Sequence, residues 1–393
     1  MNGFEKIPHN EKLFLIDDAF KKVNLGKNIE IPTGVGFCMF ISRESINKVG
    51  LFDENLFPRG YGEENDFCLR AHKNGYKNIL ACDTFIYHEG NVSFKDSANL
   101  LKRHGEKVIN SHYPNYSSLV QRFISSDLQK NFIIAASIER IRGCKRKKII
   151  HFTHSLGGGT DKYIQNVLNQ SDAFIIIFSI RPNAEIQIKC DYDTYRLDFV
   201  IPTNNFDELV NFVDSFNVDL IHINHLLNLT FDLQKLIDIL QIPFIFTLHD
   251  YFSICPRIFL VNTENNYCKE EGISSCQQCL SQSPMVTDAD ITLWRQKNKW
   301  LFTKSLYVIC PSIDAYKRII KYHPNAIYKI VEHEKLIIKE KDIRKKSLAV
   351  WDNQILNIAI LGTLVNHKGL KTLILLLDYV LKNMAHINRE RNV

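Results

Sequence analysis

The chain has 393 residues, more than one ordinary domain holds, so length alone argues for two or three domains. Hydrophobic residues make up 45% and charged residues 23%, a balance that excludes a disordered, collagen-like or disulfide-framework chain. The formal net charge of +6 is mild for this length and suits anionic ligands without demanding nucleic acid.

Residues 1–12 have no apolar core and do not read as a signal peptide. No apolar run reaches the ~18 residues that span a bilayer. The expected location is therefore the cytoplasm, with peripheral contact at the inner face of a membrane left open. Residues 34–41 are apolar and strand-like, and 43–49 are helix-like. Residues 52–65 are rich in Gly, Pro and acids and read as loop. A helix is expected over 66–74, ended by Gly75. Strands are expected over 77–82 and 84–88, then mostly helix over 97–142.

A basic run, Lys145-Arg146-Lys147-Lys148, comes next. It reads as a solvated linker over 143–148, because it is short and has no interleaved aromatics. Beyond it the rhythm is strand–loop–helix. Strands are expected at 148–153, 173–180, 219–223, 244–248 and 306–310. Helices are expected at 161–169, 206–216, 232–240 and 292–302. This alternation argues for an α/β fold with a parallel sheet covered by helices. A further strand at 355–362 and a helix at 370–382 begin another such unit. The expected domains are 1–142, the linker 143–148, 149–354 with a cysteine-rich insertion at 255–279, and 355–393.

The turn Gly60-Tyr61-Gly62-Glu63-Glu64-Asn65-Asp66 puts three carboxylates at the start of a helix. They can cap that helix, or act as general base or metal ligands. Residues 32–94 contain G-x-C-x-x-I-x-R, V-G-x-F-D-E, G-Y-G-E-E-x-D-x-C-L-R-A and Y-H-x-G. Together they resemble the acceptor-side half of family 2 glycosyltransferases of the GT-A fold. The resemblance implies that Glu64 is the base that deprotonates the acceptor, with Glu63 and Asp66 supporting it. It also implies that His88 lies near a divalent metal, Mn or Mg. That family's D-x-D motif is expected to be missing: only about thirty residues precede Pro32, and Asp17-Asp18 is not that pattern.

HFTHSLGGGTDKYIQNVL (151–168) joins strand, glycine loop and helix. It makes either a tight turn or a close approach to an anion at a helix N-terminus. With DLIHINHL, IPFIFTLHDYFSICP, ICPS and ILNIAILGTLVNHKGLKTL, it resembles family 4 glycosyltransferases of the GT-B fold. The resemblance implies a Rossmann-like N-terminal domain and the start of a second one. Gly157, Gly158 and Gly159 would then line the cleft. His249 would lie near the transferred sugar with Asp250 beside it, and Lys368 would begin a phosphate-neutralising site. The family's later acidic motif would fall beyond residue 393. His222 and His225 read as strand caps. Cys255, Cys268, Cys276 and Cys279, the last two as C-x-x-C, suit a structural zinc or stay as four reduced thiols.

The combined expectation is a glycosyltransferase, or a piece of one, moving a sugar from a nucleotide-sugar donor to a cell-surface glycan or lipid-linked acceptor. The alternative is a non-catalytic remnant or assembly partner that binds no donor.

Overall fold

Local signals in the sequence set where the helices start and stop. The computed structural model describes residues 13–58, 60–88, 98–192, 195–283, 289–332, 364–365 and 368–390. Helix α1 (Leu13–Asn24) leads to strand β1 (Asn28–Glu30) and helix α2 (Arg43–Val49). Ser42 caps α2 by accepting the Ser45 N–H. Helix α3 (Glu63–Lys73) starts three residues earlier than expected, on the acids themselves. Strand β2 (Ile79–Ala81) pairs antiparallel with β1, with Ile29 opposite Leu80. Helices α4 (Ala98–His112), α5 (Tyr116–Ser126) and α6 (Lys130–Gly143) come after them, as the helical pattern predicts.

The apolar stretch 34–41 is not a strand. A strand needs a ladder partner, and here the Gly34 N–H donates to the Cys68 thiol instead. Phe40 is left 96% exposed. Residues 84–88 are likewise irregular.

Next come β3 (Lys148–His154), α7 (Gly159–Gln170), β4 (Phe174–Arg181), β5 (Glu185–Tyr192) and β6 (Tyr195–Pro202). After these are α8 (Phe206–Ser215), β7 (Leu220–Ile223), α9 (Leu233–Leu240), β8 (Phe244–Thr247), α10 (Ile273–Ser281) and α11 (Ile291–Asn298). The series ends with α12 (Trp300–Thr303), β9 (Val308–Cys310), α13 (Ile313–Ile319), β10 (Tyr328–Ile330) and α14 (Leu370–Glu390). Asn205, Asp232, Asp290 and Ser312 cap α8, α9, α11 and α13 through their side chains. The expected strand at 355–362 lies outside the described residues.

The protein is a mixed α/β fold with a large, mostly parallel sheet of eight strands, in the order β10-β9-β8-β7-β3-β4-β5-β6. β3, β7, β8, β9 and β10 are parallel neighbours, with His151 opposite His222 and Ile223 opposite Phe246. β3 and β4 also run the same way: Phe174 N–H bonds Lys147 O at one end, and Ser155 N–H bonds Ile180 O at the other. β4, β5 and β6 are joined by two or three residues, a length that allows only antiparallel neighbours. Asn183 and Ala184 take positive φ in the first of these turns.

The chain forms two compact units. One comprises Met1–Lys148, Asp172–Ile177 and Ile186–Val218; the other comprises Ile149–Ser171, Phe178–Glu185 and Asp219–Val393. In the first, α1 packs on α6 through Ile16, Phe20 and Ala136, and Lys22 pairs with Glu139. α6 also packs on β6. In the second, Ile150, Phe152, Phe178, Ile221, Ile223 and Val308 are fully buried, as expected for parallel strands covered on both faces. Among the described residues no helix is long and apolar enough to cross a membrane.

Candidate functional site

The acid turn lies in the first unit, ahead of α3. Gly60, Tyr61 and Gly62 have φ of 85°, 67° and 131°. A glycine adopts these readily, but Tyr61 is strained there. Helix α4 closes over the turn so tightly that a Cβ on Gly105 would stand 1.7 Å from the Tyr61 carbonyl oxygen. Only glycine fits at that position.

The three acids fare differently. Asp66 is buried, and both its oxygens are engaged: Arg70 Nε donates to one at 2.7 Å and the Tyr113 hydroxyl to the other at 2.8 Å. Arg70 also holds the carbonyls of Val49 and Leu51, so Asp66 anchors the end of α2. Glu64 Oε2 accepts the Gly62 N–H at 3.2 Å. Glu63 Oε2 is buried with no hydrogen-bond partner. Burial pushes the Glu63 carboxyl up, and the neighbouring Glu64 charge adds to this. The perturbed acid is therefore Glu63, the residue before the one that the sequence pattern marks as base. His88 is exposed and stacks on Phe37, with ring centroids 4.6 Å apart.

The second constellation is in the other unit, where chain topology dictates it. β3 has β4 on one side and β7 on the other, so connections leave it in opposite directions. Ligands of open α/β sheets bind beyond the carboxyl ends of the strands at such a point. Five histidines gather there: His151 and His154 on β3, His222 on β7, His225 just past β7, and His249 past β8. His151 and His222 have ring centroids 4.4 Å apart, and those of His154 and His225 are 4.8 Å apart. His225 Nε2 bonds Asp250 Oδ2 at 2.9 Å, and its Nδ1 accepts the Leu227 N–H at 3.0 Å. His222 Nε2 meets Thr247 Oγ1 at 2.7 Å. His249 Nε2 meets Asn224 Oδ1 at 3.2 Å, and the Tyr163 ring packs edge-on against His249 at 5.0 Å.

Electrostatics keep the inner histidines neutral. Burial, then the charge of His249, pushes His151 down to about 3. Burial, then His151, pushes His222 well below the usual histidine range. His154 is lowered by burial and by His225. Asn224, His225, Thr247, His249, Asp250 and Ser253 line a recess of about 10 Å³, the size of one water molecule. Any larger ligand therefore sits outside it.

The glycine loop leads into α7 beside His154. Gly157 and Gly158 have φ of 74° and 94°, and a Cβ on Gly158 or Gly159 would meet nothing within 4 Å. The glycines here serve backbone conformation and open space, not packing. Asp161 already occupies the first turn of α7, so an incoming anion would share that end of the helix with a carboxylate. Lys368 is exposed ahead of α14, with its N–H bonded to Val365 O.

No protein-family model, curated protein or solved structure matches this chain.

The four cysteines of the insertion are free thiols close enough to act on one another electrostatically. Burial pushes the Cys255 thiol up to about 11, and Cys268, Cys276 and Cys279 add to this. Arg295 Nη2 donates to Cys276 Sγ at 3.5 Å. Arg318 bonds Glu270 and Asp314, each at 2.8 Å, and so ties the insertion to α13. Among the described residues no group of three or more His, Cys, Asp or Glu side chains is arranged to hold a metal ion. A zinc on the thiols would have to draw them together, and a divalent ion at Glu63, Glu64 and His88 finds no ready cradle.

Sequence reasoning did not single out Asn224, Thr247, Tyr163 or Tyr113 as site residues. One signal for Asn224 was available: it falls between His222 and His225 at the end of a buried strand.

Proposed function

We propose that this chain is a glycosyltransferase, or a piece of one, acting on a nucleotide-sugar donor and a glycan or lipid-linked acceptor. The observation that carries the reading is the gathering of His225, His249 and Asp250 around Asn224, with His154 against His225, next to a glycine loop and the start of a helix. That position, beyond the strand ends at the sheet's switch point, is where such folds take nucleotide ligands. The resemblance to family 4 sequences supports the same reading.

In the transfer, an acceptor hydroxyl oxygen bonds to the anomeric carbon, and the bond from that carbon to the diphosphate breaks. The hydroxyl proton goes to a protein base, and the nucleoside diphosphate leaves with its added charge. At the acid turn, the Glu63–Glu64 pair is the proposed base. A carboxyl whose pKa is raised takes a proton more readily than an ordinary one. The histidine cleft of the other unit is a separate candidate site, where the N-terminus of α7 and, by the family 4 resemblance, Lys368 are the groups proposed to receive the diphosphate of its own donor.

The test is a thermal-shift or calorimetric titration with UDP-, GDP-, dTDP- and CMP-sugars, with and without manganese. A ligand that binds only the folded state raises its stability by mass action. Saturable stabilisation by one nucleotide class, lost in His249→Ala and Gly158→Val, is the expected result. No shift with any donor, on folded protein, would favour a non-catalytic assembly partner.

A further inference from the structure

Asn224 is 1% exposed and lies one residue past β7. Its Nδ2 is 3.3 Å from the His222 carbonyl oxygen. A carbonyl only accepts, so the amide must turn its NH₂ group that way. The reverse orientation would set two acceptors against each other. The same Nδ2 is 3.1 Å from His151 Nδ1. That nitrogen is therefore an acceptor, and neutral His151 carries its proton on Nε2. With the NH₂ group committed, Oδ1 is what remains for His249 Nε2 at 3.2 Å. An amide oxygen has no proton to give, so His249 Nε2 must be the donor. A neutral imidazole protonated there has Nδ1 as its accepting nitrogen.

We infer that Asn224 is a positioning residue that sets the tautomer of His249. It holds the proton on Nε2 and so makes Nδ1 the accepting nitrogen of the neutral ring. The relay spans three neighbouring strands, and a backbone carbonyl decides its polarity. The Asn224 N–H bonds Phe152 O at 2.8 Å, and the His222 ring is fixed on Thr247, so the amide has little freedom to turn. This inference rests on the proposed reading of His249 as a residue near the transferred sugar.

The experiment is a long-range proton–nitrogen correlation spectrum of the full chain labelled with ¹⁵N-histidine, which reads the protonated nitrogen of each ring directly. In the wild type, His249 is expected to be protonated on Nε2. In Asn224→Leu and Asn224→Ser that preference is expected to be lost. His225, held by Asp250 and the Leu227 N–H, should keep its pattern in every variant and so report an intact fold. A wild-type His249 protonated on Nδ1, or a His249 pattern unchanged in both Leu and Ser variants, would overturn the inference.

The readout needs no turnover. If no donor is used, the functional reading fails while the tautomer result stands or falls separately. If turnover is found, Asn224→Ser should lower kcat at least about tenfold with donor KM changed less than about threefold. An intact kcat with a raised KM would make Asn224 a binding residue instead.

Discussion

The acid turn and the histidine cluster both gather titratable groups beside glycines, but different forces hold them. At the acid turn the backbone is the device: three successive residues at positive φ and a helix pressed onto them at Gly105. In the histidine cluster the strands are regular, and side-chain hydrogen bonds between neighbouring strands fix the geometry. The first arrangement should be most sensitive to the loss of a glycine, the second to the loss of a hydrogen-bonding partner.

The largest effect that would test this contrast is at Gly105. A methyl group there meets the Tyr61 carbonyl at 1.7 Å, so Gly105→Ala should destabilise the protein by about 3 kcal/mol or more. Urea unfolding measures it. A loss under about 0.5 kcal/mol would mean that the turn is not held by close backbone packing.

Acid should act on the histidine cluster next. His151 and His222 fold in the neutral form, with pKa values far below the ordinary histidine value of about 6.5. Above about pH 6.5 neither the folded nor the unfolded chain protonates them, and their contribution is constant. Below it the unfolded chain takes protons that the folded one refuses, so stability should fall as pH drops from about 6.5 toward about 3. His323, pushed down to about 4 by burial, adds to the same slope. Urea midpoints at pH 8, 6 and 5 measure the slope, and a flatter one is expected in His151→Gln. Identical slopes in the two proteins would show that His151 is not buried in its neutral form.

The smallest effect returns to the acid turn. Glu63→Gln removes a carboxylate disfavoured by burial and by Glu64, and should stabilise the protein at pH 8 but not at pH 4. Because Glu63 is only partly buried, solvent screening keeps the gain well under 1 kcal/mol. A loss of stability at pH 8 would mean that the ionised carboxylate has a partner it needs.

Much of the eight-stranded sheet was legible in the sequence because parallel strands covered on both faces are written as unbroken apolar runs. β3, β4, β7, β8 and β9 lie within a residue or two of where those runs predict them. β5 and β6 were missed. EIQIKCDY and the first five residues of YRLDFVIP alternate polar with apolar residues, and the short connections of β4, β5 and β6 contain no glycine of the kind that marks a hairpin. The stretch 34–41 misled in the opposite direction, since apolar character cannot supply a ladder partner. At the sites, Glu63, Glu64, His249 and Asp250 stood out by motif. Asn224 did not, because its importance comes from the strand order that sets His151, His222 and His249 around it. Periodicity does not reveal strand order. Asp66 looked like a third catalytic acid, and only Arg70 and Tyr113, the latter 47 residues away, show how its oxygens are used.

The pairing of β3 with β7, Ile149 opposite Leu220, also sets a clock. The two strands are about 70 residues apart, and a ribosome adds roughly 5–20 residues per second. For some 4–14 seconds the strand that becomes the middle of the sheet has one edge without its native neighbour, and β4 is completed only part-way through that interval. An unpaired edge is a template for other chains. The speed of translation between β3 and β7 should therefore influence how much of this protein reaches the folded state.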